Sequence, residues 1–257
     1  MRKYALLALA FAPFAPFAAA HADDCTHSAD RSLDADLRGV RTVRLETGSH
    51  ELKINASGSG TSLAARGKAC ASSEDALSEL VITQHREGDT LVVKLGDDRS
   101  HWHIGYTQQS FKVDVSMPAN LPVDLQVGSG DGETHGVASL AAHVGSGEAK
   151  LYDTAGALSA SVGSGDLTVE GAGSVKIDSV GSGDGKLRNI RGPVSVGSVG
   201  SGDLDLRGVG GNVEVDSIGS GDVNVDDVRG DLTVHSKGSG DISHSRVTGK
   251  VSVPSRD

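Results

Sequence analysis

The residues best placed to do chemistry in this 257-residue chain are seven carboxylates that recur on one motif. Gly-Ser-Gly-Asp, once with Glu for Asp, begins at Gly128, Gly145, Gly163, Gly181, Gly200, Gly219 and Gly238. Asp131, Glu148, Asp166, Asp184, Asp203, Asp222 and Asp241 therefore follow one another at steps of 17, 18, 18, 19, 19 and 19 residues. Stacked in register, these acids fall in one column. Like charges about 5 Å apart in water cost on the order of 1 kcal/mol per neighbouring pair, so something must offset them. Two offsets are open. Serine hydroxyls and free corner amides can bond each carboxylate, as they do for aspartate in turns. A cation such as calcium along the column is the other, and it makes the seven acids candidate metal ligands.

Other chemistries fit less well. A calcium-binding β-roll wants Gly-Gly-x-Gly-x-Asp every nine residues, and here Asp follows Gly directly in one half-coil of two. The glycine-rich stretches lack the Gly-Lys-Ser/Thr ending of a phosphate loop. No Gly-x-Ser-x-Gly elbow presents a serine nucleophile. The evenly repeated acids give no position that stands apart as catalytic, so no enzyme activity and no cofactor are expected. A carbohydrate-active β-helix enzyme is the weaker alternative. His101 and His103 flank Trp102 without a compelling third ligand, and His235 and His244 read as structural. Trp102 and Tyr106, close to Phe111, are candidate binding residues, because aromatic surface among polar groups suits sugar or protein contacts. The competing reading is that these rings pack a cap onto the first coils.

The elements that hold these residues follow from the period. A short, long-running repeat builds a solenoid, one coil per repeat. Gly200-Ser-Gly-Asp203 is followed by Leu204 and Leu206, then Gly211, then Val213 and Val215. Each coil thus carries two short strands with apolar residues at period two. A second glycine column, Gly173, Gly192, Gly211, Gly230 and Gly249, separates them. The expected fold is all-β, a parallel β-solenoid of about seven coils with an N-terminal β-rich cap, roughly 34 Å long at 4.8 Å per coil. Val253, Pro254 and the charges after them would guard the open C-terminal edge.

Upstream, residues 1–22 read as a signal peptide: Arg2 and Lys3, an apolar run, then Ala20-His21-Ala22. Cleavage would leave no transmembrane segment and locate the protein in the periplasm, at the cell surface or outside the cell. Cys25 and Cys70, the only cysteines, are expected to pair in that oxidising setting, a loop worth roughly 4 kcal/mol. Residues 23–39 read as a flexible segment. Residues 40–127 read as a capping region continuous with the solenoid, with a short helix within 72–80 and a hairpin across Glu87-Gly88-Asp89. Residues 128–257 read as the repeat solenoid. The formal net charge is −10, and an acidic chain repels phosphate backbones, so nucleic acid is not an expected partner.

The stretch from Lys112 through Met117-Pro118-Ala119-Asn120 to Gly128-Ser-Gly-Asp131 resembles the bacterial "putative adhesin" family of β-strand repeat proteins. It is also similar to the head GIN domain envelope proteins. The resemblance covers roughly residues 40–253. It implies a right-handed β-solenoid outside the cytoplasm, a cell-envelope protein or polysaccharide as partner, and no catalytic residues to carry over.

Overall fold

The computed structural model describes residues 25–96 and 109–254. Strands β1 (His27–Asp36), β2 (Thr42–Thr47), β3 (Glu51–Ala56) and β4 (Ser62–Ala71) precede the short helix α1 (Glu74–Glu79). Strands β5 (Ile82–Glu87), β6 (Thr90–Leu95) and β7 (Gln109–Met117) follow it. The motif coils are then the pairs β8 (Val123–Val127) with β9 (Asp131–His135), β10 (Leu140–Val144) with β11 (Glu148–Tyr152), and β12 (Ala157–Val162) with β13 (Asp166–Glu170). They continue as β14 (Ser174–Val180) with β15 (Gly185–Ile190), β16 (Val194–Val199) with β17 (Leu204–Val209), and β18 (Val213–Ile218) with β19 (Val223–Val228). Then come β20 (Leu232–Lys237) with β21 (Ile242–Val247), and β22 (Val251–Ser252) is the last strand among the described residues.

Successive coils stack as two eleven-stranded sheets, parallel throughout the solenoid. Sheet A runs from β1, β4, β7 and β3 to the odd-numbered strands β9–β21; sheet B runs from β5, β6 and β2 to the even-numbered strands β8–β22. Their inner faces form the core. Val93, Leu45, Leu125, Ala142, Ala160, Ile177, Val196, Val215 and Val234 make one inward row, all buried. Each fully buried Val or Leu contributes roughly 1.5–3 kcal/mol relative to exposure, which lets a chain with few aromatics hold a long core.

The stack begins earlier than its motif. Glu51 lies in register with Asp131, and Ser129 donates its N–H to the Gly48 carbonyl at 2.6 Å. Gly48-Ser49-His50-Glu51 is thus a degenerate motif copy, and β2–β3 is a solenoid layer. From it the chain runs outward to build the end, and returns through β6 and β7, which flank β2 and β3 in parallel. It then crosses back to β8 on the far side of β2.

The end itself is antiparallel: β4 pairs with β7, β1 with β4, and β5 with β6. The hairpin falls where expected, with Gly88 at φ +63. Residues 27–36, expected to be loose, are instead a ten-residue strand. Their composition is polar because one face of an edge strand meets solvent, while all ten residues lie in register with β4. The Cys25–Cys70 disulfide fastens the start of this strand, with Cα atoms 5.4 Å apart. Arg31 of β1 donates to the Leu77 and Leu80 carbonyls at 2.9 and 2.6 Å, satisfying Leu80 and adding a second donor to Leu77, which the Leu80 N–H already reaches. The helix is shorter than the 72–80 expected, with Ser73 as its N-cap accepting from the Ala76 N–H.

Register explains the drift of the repeat from 17 to 19 residues. Three landmarks recur: the first motif glycine, a left-handed residue, and the first inward residue of the even strand. The left-handed column is Gly136, Asp153, Gly171, Asn189, Gly208, Asp227 and Arg246, with Asp153, Asn189 and Asp227 at φ 55–56. Glycine, Asn and Asp are the residues that take this conformation at least cost. The coil starting at Gly145 gains one residue in the turn after Asp153. The coil starting at Gly163 instead gains Asp178, a bulge in β14 opposite the Ala160–Ser161 step. From Gly181 onward the coils carry both additions.

Candidate binding surface

The carboxylate column forms along the edge of sheet A as expected, and it starts one layer earlier, at Glu51. It is neutralised in two ways. At its N-terminal end lysines do the work: Lys112 meets Glu51 at 2.8 Å and Lys150 meets Glu148 at 2.8 Å. In the neighbouring row Lys53 meets Glu133 at 2.7 Å, and Lys53 with His135 holds the Glu133 carboxyl below the usual carboxylate range.

From Asp166 to Asp222 the neutraliser is the backbone, and at Asp241 it is again a lysine, Lys237 at 3.9 Å. The N–H groups of Asp131, Glu148 and Asp166 donate to carbonyls of the preceding coil. Those of Asp184, Asp203, Asp222 and Asp241 donate to the preceding aspartate's Oδ1, at 3.3, 3.2, 2.9 and 2.8 Å. Each such aspartate is also an acceptor through its own carbonyl; Asp203 takes the Gly185 N–H at 2.8 Å. One residue therefore ties three coils. Among the described residues, no three carboxylates of the column bring ligand atoms within 4.8 Å of one another.

The glycines beside the acids are fixed by contact. A Cβ on the third motif residue, from Gly130 to Gly240, would come closer than 3.0 Å to backbone of the preceding layer. The opposite corner repeats this logic. Asp231 donates its N–H to Asn212 Oδ1 at 3.0 Å, and Lys250 donates to Asp231 Oδ1 at 2.7 Å. This second staple was missed in the sequence, although Gly211-Asn212 and Gly230-Asp231 repeat the Gly-Asx pair that signals it.

The outward face of sheet B carries a serine row, Ser161, Ser179, Ser198, Ser217 and Ser236. Ser217 and Ser236 donate to the Gly197 and Asp216 carbonyls that the bulge frees, at 3.3 and 3.0 Å. His143 and Ser161 meet at 2.8 Å on this face, exposed, at the edge of a shallow depression that also includes Glu46, Lys94 and Gln126.

Of the aromatic residues singled out, Trp102 and Tyr106 lie outside the described residues, as do His101, His103 and residues 1–22. Phe111 is 1 % exposed and packs edge-on to His50, so it serves the core. Burial in that setting pushes the His50 imidazole below its ordinary pKa. Tyr152, not singled out, stacks on His135 with centroids 4.9 Å apart on the outer face of sheet A. Among the described residues, His244 takes the last place in an inward row that reaches it through Leu187, Leu206 and Val225. His235 meets Glu214 at 2.8 Å.

The Toastrack DUF4097 model matches residues 40–257. The chain belongs to the Toastrack DUF4097 family. The match takes in the degenerate coil at Gly48 together with every motif coil. A Bacteroides fragilis protein described as a "putative adhesin" is similar over 87 % of this chain and 96 % of its own, with 14 % identity and a TM-score of 0.51. A "putative lipid binding protein" from Parabacteroides distasonis is similar over 86 % and 97 %, with 17 % identity and a TM-score of 0.49. A "putative adhesin" from Parabacteroides merdae follows at 13 % identity, 88 % and 96 % coverage, and a TM-score of 0.41. No curated protein matches the chain. At 14 % identity the Bacteroides fragilis protein speaks to the fold alone. That fold is the stacked parallel β-solenoid of about seven turns expected of a Toastrack protein.

Proposed function

We propose that this Toastrack chain is a non-enzymatic exported envelope protein that presents an adhesin-like binding or scaffold surface to a cell-envelope protein or polysaccharide. The observation that carries the reading is the uniformity of its outer faces. Polar side chains repeat there in straight rows at the coil spacing, and the acids of the longest row are used to fasten one coil to the next. Such rows suit an extended partner that is itself repetitive, contacted along many coils at modest strength each. The name carried by the Bacteroides fragilis protein of the same fold agrees with this reading.

Binding of the purified chain to intact cells and to isolated envelope polymers tests it. Saturable retention is expected, weakened when the outward lysines of sheet A are reversed (Lys53→Glu with Lys150→Glu). Absence of binding to cells, envelope polymers and envelope proteins alike would overturn the reading.

A further inference from the structure

The outer face of sheet B carries one group of donors that the repeat does not explain. Glu214 and Asp216 stand on β18, and His235 stands on β20. Their ligand atoms all lie within 4.8 Å of one another. Register brings them together. Val215 pairs with Val234 and Ser217 with Ser236, so the bulged Asp216 sits opposite His235, and Glu214 is its diagonal neighbour.

Neighbouring coils show how these positions are otherwise filled. Two coils earlier they hold Lys176 and Asp178, which neutralise each other at 2.7 Å. One coil earlier they hold Ser195 and Gly197, which bring no charge beside the acids. At β18 the lysine has become Glu214, so two carboxylates share one strand face. Neither has a Lys or Arg partner among the described residues, and the group facing them is an imidazole.

We propose that Glu214, Asp216 and His235 form a zinc-binding site. One imidazole nitrogen and two carboxylate oxygens are a donor set for Zn²⁺, which binds them at 2.0–2.2 Å, and not for Ca²⁺, which collects six to eight oxygens. A tetrahedral ion at those bond lengths needs donors about 3.4 Å apart. All three side chains are exposed, so rotation about their own bonds closes the remaining distance. Three protein ligands leave a fourth position open for water or for a donor from another surface. The site is independent of the adhesin-like reading, which rests on the repeated rows.

Titration of the untagged chain with zinc sulfate, followed by calorimetry, tests the site. One Zn²⁺ per chain is expected, with at least tenfold weaker binding in His235→Ala and in Glu214→Gln. The melting temperatures of the metal-free variants should match that of the parent, and Asp203→Asn should bind zinc as the parent does. Calcium chloride should not compete. The assignment is overturned if the parent fails to bind zinc at micromolar concentration, or if His235→Ala binds as tightly as the parent. Equal competition by calcium also overturns it.

Discussion

Asp222 donates its backbone N–H to Asp203 Oδ1 at 2.9 Å, so the acid of one coil caps the amide of the next. From Asp166 to Asp222 the column of like charges is thereby built into the hydrogen bonding of the stack, because each of these four carboxylates accepts the amide that a backbone carbonyl accepts in the earlier coils. The decisive property at Asp203 is an acceptor and not a negative charge. Asp203→Asn should keep the bond and leave the melting temperature near that of the parent. Asp203→Ala should strand the Asp222 amide and cost about 1 kcal/mol. Thermal melts with and without chelator check this; a cation-dependent column would make the Asn variant as damaged as the Ala variant.

The third motif glycine is a contact residue. Gly202→Ala would push a methyl group into the Gly183 carbonyl of the coil before it, and overpacking of this kind costs roughly 1–3 kcal/mol. Gly48→Ala meets nothing within 4 Å and should be nearly neutral. Denaturant unfolding of the two variants side by side gives the comparison.

Thr134 occupies an inward row between Ile54 and Leu151, fully buried, and its hydroxyl finds no partner. Thr134→Val keeps the shape and removes the stranded group. A gain of about 1 kcal/mol is expected, read as a rise in melting temperature.

Burial lowers the folded-state pKa of His50, so between that value and the ordinary histidine pKa near 6.5 the unfolded chain binds the extra proton. Stability therefore falls as pH drops through this window and is fully regained above it. His50→Leu should flatten the slope there. A second loss is expected at lower pH, where Asp36, Glu87, Glu133 and Asp226, all held below their ordinary values by hydrogen bonds and nearby cations, become protonated. Stability measured from pH 8 to pH 3 separates the two phases.

The repeat was readable because its cause is local: two glycine corners and paired apolar positions recur with little change. Coil number, the strand pairs and the acidic column all followed from it. The degenerate layer at Gly48 was harder to read, because His50 and Glu51 replace the Gly-Asp half of the motif and eighty residues separate it from the layer it supports. Strand β1 was hidden for a different reason. Its period-two pattern is faint, with Ala29, Leu33 and Ala35 diluted by seven polar residues, Arg31 among them, and its order comes largely from the ladder with β4 and from Cys25–Cys70.

At the far end of the stack, Lys237 and His244 take the final places of rows that elsewhere hold Ile218 and Val225. Charged or polar ends discourage a second molecule from extending the sheets. Lys237→Val combined with His244→Val should yield larger species than the parent at equal concentration in sedimentation velocity runs.

Because every coil from Gly181 onward has the same two additions, these coils are interchangeable units. Excising residues 200–218 joins Val199 to Gly219, a junction of the same kind as Val199 to Gly200, and lowers the stack by one step of about 4.8 Å. Duplicating that segment raises it by the same step. The molecule's height is thus a whole-number quantity, adjustable by copying or losing a 19-residue cassette without redesigning either end.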